Sequence, residues 1–295
     1  MAGKIWFGNV AHAQWVPAPA TGMTKSTEGF AEEIQFENGG LWINRSKQGH
    51  AVYEIDLPVE DSSKYDSIEA YQRFADGDYG DDYLRFVDPM RANENLLSPV
   101  HANPSLSEQG HKYIYDSIPT YSNTAANNYG KPIRSATYDV TSVANAVPAG
   151  QNSVVTLLIP DGYTLSFGAT GTKTGDAVLR VQPINLNGTL ASVVDVTMSA
   201  VASAPAFSNT FSGATYKAVR IYITRTSTNA STITPVAMWA QIVLSTVTPV
   251  ITRHIPGKGH MGLRFRNGAR VERYTMTDRH LVGASLTLAE IEQWQ

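Results

Sequence analysis

Four aspartates crowd into Asp76-Gly77-Asp78-Tyr79-Gly80-Asp81-Asp82, and carboxylates interleaved with glycine are the material of a calcium loop. A loop of the EF-hand kind needs oxygen ligands at its first, third and fifth positions and a bidentate Glu at its twelfth. Counted from Asp76, the fifth position is Gly80 and the twelfth is Val87. The spacing fails, and a helix stop followed by a turn accounts for the same residues. His254, His260 and His280, with Glu272 and Asp278 in the same region, bring imidazole and carboxylate. No two of these histidines have the i, i+4 spacing of a helical zinc site. Gly257-Lys258-Gly259-His260 joins glycine to a cation without the strand-then-helix setting of a phosphate cradle.

Other reaction classes find little more. A Gly-x-Ser-x-Gly nucleophile elbow is absent from the sequence. Glycoside hydrolysis needs two carboxylates facing across a groove, and the middle of the chain offers Asp139, Asp161, Asp176 and Asp195 with nothing that selects a pair. Tyr163, Phe167, Tyr216, Tyr222 and Trp239 present flat rings that suit the C–H face of a sugar, or equally a protein core. The sequence holds no cysteine, which excludes disulfides, thiolate zinc sites and cysteine nucleophiles. Asn44-Arg45-Ser46, Asn187-Gly188-Thr189 and Asn229-Ala230-Ser231 match glycosylation sequons, which carry meaning only on a secretory route. No catalytic residue, cofactor-binding residue or metal ligand is assigned, and the chain is expected not to be an enzyme.

The elements that carry these residues read mainly as β. Lys4–Asn9, Gln14–Pro17, Ile34–Glu37, Leu41–Asn44 and His50–Leu57 are short strands, with an Asn38-Gly39 hairpin signal between the third and fourth. Trp42 is expected to anchor a core there. His50–Leu57 places Val52 or Tyr53, then Ile55 and Leu57, on a buried face. One helix is predicted from Ser62 to Ala75, capped by Asp61, Ser62 or Ser63, with Tyr65, Ile68, Tyr71, Gln72 and Phe74 on its apolar side and Gly77 beyond its end. Residues 91–133 are poor in regular pattern and are expected to wrap a neighbour in a symmetric assembly. From about Ile133 the chain becomes Ser/Thr-rich. Strands are predicted at 137–140, 154–158, 178–181, 193–198, 218–224, 236–244, 262–265, 271–276 and 285–291. Pro160-Asp161-Gly162, Thr170-Gly171-Thr172 and Asn187-Gly188 punctuate them. That rhythm indicates a jelly-roll or a similar sandwich. Thr287–Glu290 also matches a capping box, but the alternation of Leu286 and Leu288 favours a strand.

At 295 residues the chain has room for two domains. Residues 1–135 hold 11 basic and 18 acidic side chains, 136–250 hold 5 and 4, and 251–295 hold 7 and 4. The charge-poor middle places a boundary near 130–137. The acidic front and basic end suit head-to-tail contact between copies, and the net charge of −3 argues against a nucleic-acid binder. No run approaches the roughly 18 apolar residues that span a bilayer, and Met1–Phe7 lacks the apolar stretch of a signal peptide. Synthesis in a cytoplasm, with no membrane insertion, is expected.

Phe7-Gly8-Asn9 followed by Trp15-Val16-Pro17-Ala18-Pro19 resembles the start of minor tail proteins encoded by phages of actinobacteria. Phe36–Ser46 with Tyr53-Glu54, Phe74–Asp81 running on to Phe86-Val87-Asp88-Pro89, Pro256–Phe265 and Leu286–Ile291 are similar to the same proteins. The resemblance runs over nearly the whole chain and extends to the distal tail proteins of siphophages. It implies a mainly β chain: an N-terminal ring-forming β domain with one helix over 1–133, and a C-terminal galectin-like or carbohydrate-binding-module-like jelly-roll sandwich over 134–295. It further implies a homo-hexameric collar in the virion tail tip, joining the tail tube protein to tip hub or baseplate proteins, with the tape measure protein as a further neighbour. Host cell-envelope glycan is the partner under the alternative expectation, a glycan-binding minor tail protein.

Overall fold

The computed structural model describes residues 4–17, 24–28, 31–35, 41–45, 50–61, 65–80, 83–89, 94–103, 120–126, 132–140, 155–200, 207–227, 229–249, 257–260, 262–275 and 280–290. The chain is mainly β and divides into two compact units: Met1–Arg85 with Gly262–Glu292, and Phe86–Met261 with Gln293–Gln295.

The first unit is built on a four-stranded antiparallel sheet in the order β17 (Leu263–Thr275), β18 (His280–Glu290), β6 (His50–Asp61), β3 (Thr24–Glu28). Leu286 pairs with Ile55 and Leu288 with Tyr53, and all four side chains are buried. β1 (Lys4–Gly8) and β2 (Ala13–Pro17) form a hairpin whose Trp6 and Trp15 rings meet edge to face at 5.2 Å, and β7 (Arg85–Val87) is a three-residue strand. β4 (Ala31–Gln35) pairs with β5 (Leu41–Arg45), Ile34 opposite Trp42. Helix α1 (Tyr65–Asp76) buries Ile68, Tyr71 and Phe74, three residues apart along one face. Phe7 of β1 packs on Tyr71 at 5.0 Å and on Phe74 at 5.2 Å. Each such fully buried side chain contributes about 1.5–3 kcal/mol. The helix stops at Gly77, with φ of 81°, and Asp78 N–H donates to the Arg73 carbonyl at 3.0 Å. That six-residue closure is the Schellman geometry a C-terminal glycine permits.

The second unit is an antiparallel sandwich. One sheet runs β10 (Val155–Leu158), β15 (Tyr216–Arg225), β12 (Ala177–Asn185), β13 (Val194–Asp195). The other runs β14 (Asn209–Ser212), β11 (Tyr163–Thr174), β16 (Ser231–Leu244), β9 (Pro132–Val140), β8 (Thr120–Ala126). Leu165, Phe167, Ala169, Met238 and Ala240 from the second sheet share one core with Leu179, Val181, Val219, Ile221 and Ile223 from the first. Alternation along each strand produces these facing rows. A short helix α2 (Pro99–Ala102) is capped by Ser98, whose Oγ accepts from His101 N–H at 3.3 Å.

Buried Asn95 completes an edge of β16. Its Nδ2 donates to Met238 O at 2.9 Å, and its Oδ1 accepts from Ala240 N–H at 3.0 Å and from Leu97 N–H at 3.2 Å. Gly257-Lys258-Gly259 lies directly on this segment: Lys258 N–H donates to Asn95 O at 2.9 Å and Gly259 N–H to Leu97 O at 3.0 Å. A Cβ on Gly259 would stand 1.7 Å from Leu96 O, and one on Gly257 2.4 Å from Ser98 O. Close backbone approach is therefore the reason for both glycines.

Several expectations change. The chain does not divide at residue 133: β8 lies before it and pairs with β9 in the five-stranded sheet of the sandwich, and β17 and β18 return to pair with β6 in the first unit. Pairing between distant strands decides unit membership, and composition carries no signal of it. The stretch 91–133, expected to be poor in regular pattern, contains the short helix α2 and the strand β8. Thr170-Gly171-Thr172 is not a turn: β11 runs through it, with a register shift between Thr170 and Gly171. A Gly171 Cβ would stand 2.4 Å from Thr234 O, so this glycine marks a bulge and not a strand end. Thr287–Glu290 is strand. The Asn38-Gly39 turn, the caps at Ser62 and Ser63 and the Trp42 side chain lie outside the described residues.

Candidate interaction surface

His260 Nε2 accepts from Phe86 N–H at 3.3 Å, and its ring packs on Phe86 at 4.7 Å. His254, Asp278, Asp81 and Asp82, and the side chains of Glu272 and His280, lie outside the described residues. Asp139 is exposed on the outward side of β9, and Asp161 sits in the turn before β11. Asp176 sits in the turn after β11, at the opposite end of that strand. Its carboxylate accepts from Ser227 Oγ and from Asn229 Nδ2, and these bonds hold its pKa below the ordinary carboxylate value. Asp195 accepts from buried Arg180 Nε at 2.7 Å on the outward face of the four-stranded sheet. Burial disfavours the guanidinium charge, but the hydrogen bond and charge of Asp195, together with Tyr222, outweigh it and raise the Arg180 pKa. Asp139 lies opposite Thr232 and Asp176 N–H donates to Ser231 Oγ, so these two flank one end of β16, while Asp161 and Asp195 stand on other elements. Among the described residues no group of three His, Asp or Glu gathers as a metal site would require.

Among the aromatic candidates, Phe167 fills the core, and Tyr222 and Trp239 are also buried. Burial pushes the Tyr222 hydroxyl pKa up. Tyr163 and Tyr216 are half-buried and share one end of the sandwich. Four turns of the described residues lie at that end. Ser245 N–H donates to Gly162 O at 3.0 Å, Gly213 N–H to Tyr163 O at 2.7 Å and Ile159 N–H to Lys217 O at 2.9 Å. A Cβ on Gly213 would lie 2.1 Å from Pro160 O, and Gly188, with φ of 87°, lies beside Lys217. On these turns stand Leu186, Leu190, Leu244 and Val247, 58%, 42%, 51% and 51% exposed. They are all of the exposed large aliphatic side chains among the described residues. Sequence reasoning missed them, because a Leu or Val after a strand reads as core until the register is known.

Charge is nearly absent at this end. Residues 159–163, 185–190, 212–217 and 244–249 carry only Asp161 and Lys217. Apolar side chains on hydrogen-bonded turns, with hydroxyl and amide groups between them, match the charge-depleted centre of a protein interface.

In the first unit, segments that are far apart in sequence meet. Asn9 is fully buried: its Nδ2 donates to Tyr79 O at 2.9 Å, and its Oδ1 accepts from His12 N–H at 2.7 Å. Gly8 has φ of 146°, and a Cβ there would lie 2.1 Å from His12 O. Tyr79 packs on His12 and on Phe74, and Phe7 reaches Phe265 at 6.3 Å. Phe7-Gly8-Asn9, Phe74–Gly80 and Phe265 therefore form one packed node.

No family model and no curated protein sequence matches the chain. Among solved structures, the N-terminal CBM22-1-CBM22-2 tandem domain from Paenibacillus barcinonensis Xyn10C aligns over 65% of this chain and 60% of that chain, at 13% identity and a TM-score of 0.32. The infectious bursal disease virus VP2 subviral particle aligns over 98% of this chain and 80% of that chain, at 10% identity and a TM-score of 0.22. At these values the likenesses carry no argument, and the β-sandwich class rests on the strand pairing described above.

Proposed function

We propose that this protein is a non-enzymatic structural component of a phage tail tip, a collar subunit that joins tail tube to tip hub. The observation that carries the reading is the packed node of the first unit. Phe7-Gly8-Asn9, Phe74–Gly80 and Phe265, segments that resemble minor tail proteins, each have a demanding structural task in one place. Shared motifs with interlocking backbone requirements are what common descent of a scaffold produces. In this reading the first unit self-associates around the tail axis, and the apolar end of the sandwich meets a protein neighbour at the tip. The test is to tag the chain in a phage that encodes it and locate the tag by electron microscopy of purified tails. Label at the tail tip is expected. Label on the capsid, or absence from particles, would contradict the assignment.

A second reading, a minor tail protein that binds host-envelope glycan, is favoured by one feature: Tyr163 and Tyr216 stand half-exposed at the same end as the aliphatic patch. Binding of purified chain to host cell walls, lost on Tyr163→Ala with Tyr216→Ala, would favour it over the first.

A further inference from the structure

Asn187-Gly188-Thr189 occupies the turn that leaves β12, and every residue from Leu186 to Leu190 is exposed. Asn185 N–H donates to Thr189 O and Gly188 N–H to Asn185 O, each at 2.9 Å, so two backbone bonds close the turn. Within it the side-chain carbonyl of Asn187 is held twice. Its Oδ1 accepts from Thr189 N–H at 3.0 Å and from Thr189 Oγ1 at 2.7 Å. The Thr189 hydroxyl in turn accepts from Asn185 Nδ2 at 2.9 Å, which polarises it as a donor.

Attack by the next residue's backbone nitrogen on an asparagine Cγ closes a five-membered ring, and the two reacting groups are already tethered. Negative charge develops on Oδ1 as that bond forms. Two donors aimed at the same oxygen are the arrangement that stabilises an oxyanion. Glycine as the attacking residue brings no side chain into the ring closure. Apart from its chain neighbours, a Cβ on Gly188 would meet only Lys217 Nζ, at 3.4 Å, so the position is open and a cation stands beside it. One contact opposes the reaction: Gly188 N–H is bonded to Asn185 O, and its proton must leave that bond for a base. Exposure of the whole turn gives hydroxide access to it.

We propose that Asn187 is a site of self-modification, at which the turn converts the asparagine to aspartate and isoaspartate while Thr189 holds the charge of the transition state. The Gly188 nitrogen loses its proton to hydroxide and bonds to Asn187 Cγ, and the Cγ–Nδ2 bond breaks with release of ammonia. Water then opens the cyclic imide at either carbonyl and leaves one new carboxylate. That carboxylate falls between Leu186 and Leu190, beside Lys217, at an end whose four turns carry only Asp161 and Lys217 as charged residues. The modification is independent of the tail-tip reading, because it rests only on the turn.

The test incubates the folded full chain at mildly alkaline pH and follows the peptide that holds Asn187 by tandem mass spectrometry with isoaspartate detection. Loss of the Asn187 amide is expected, with both aspartate and isoaspartate formed. Thr189→Val should slow it by about fivefold, the worth in rate of one ordinary hydrogen bond. Thr189→Ser, which keeps the hydroxyl, should restore the wild-type rate. Both substitutions are at an exposed position, so the melting temperature should hardly change, and the rates compare folded chains. Hydroxylamine, which cleaves a cyclic imide, should cut the wild-type chain between Asn187 and Gly188. An Asn187 that keeps its amide in the folded chain would overturn the proposal. So would conversion in Thr189→Val as fast as in the wild type, or a Thr189→Ser rate no faster than that of Thr189→Val.

Discussion

At the residue scale, the chain depends on a few side chains and glycines that serve the backbone of a neighbouring segment. Asn95 is the clearest: buried, and bonded to Met238 O, Ala240 N–H and Leu97 N–H. Asn95→Leu leaves those groups unpaired, each at about 1–3 kcal/mol, so a clear fall in the denaturant midpoint is expected with no change in any activity. Gly259→Ala forces a Cβ toward Leu96 O, which it would approach to 1.7 Å, and should cost about 1–3 kcal/mol by displacing that backbone. Melting curves of the two variants check both. Asp176 gives a pH signature of definite sign. Its pKa is depressed in the folded chain, first by the Ser227 bond and then by Asn229. Its contribution is therefore present above the unfolded carboxylate value, roughly pH 4, and lost as pH falls through the lower folded value. An NMR titration of the Asp176 carboxyl carbon should show a midpoint below that of a free aspartate, and an ordinary midpoint would contradict the bonding.

At the scale of elements, local pattern and long-range pairing part company. α1, its Gly77 stop and the Pro160-Asp161-Gly162 and Asn187-Gly188 turns were legible, because each is written in contiguous residues with a fixed physical demand. The paths of β17 and β18 were not. Leu286 and Leu288 alternate as a strand in either unit, and only their pairing with Ile55 and Tyr53 places them. β11 was hidden by Gly171, whose role in a close approach to Thr234 looks like a turn signal when neighbours are unknown. The candidate surface was equally hidden, since exposure of Leu244 and Val247 depends on where β16 ends. Because β18 lies between β17 and β6, Leu288→Ala should destabilise the first unit by about 2–5 kcal/mol. Hydrogen exchange should then accelerate in β6 and β17 before β11 and β16. Uniform acceleration across both units would show that they unfold as one.

At the scale of the whole molecule, the acidic front and basic end expected to join copies belong largely to one unit, where β17 carries Arg264, Arg266, Arg270 and Arg273 in the same sheet as β6 with its Glu54, Asp56, Glu60 and Asp61. Surface charge is therefore a poor candidate for the main contact between copies, and such pairs are individually weak. Contact through the near-neutral apolar end of the sandwich has its own test. Leu190→Asp with Leu244→Asp should leave the melting temperature nearly unchanged, as exposed sites do, while abolishing incorporation into tails. The central claim, a collar subunit of a tail tip, is tested most directly by cryo-electron microscopy of the tail that carries this chain. The account predicts a closed ring of copies, six in number by the resemblance, with the first unit nearest the axis around a channel wide enough for DNA. A single copy at a fibre tip, or the sandwich lining the channel, would contradict it.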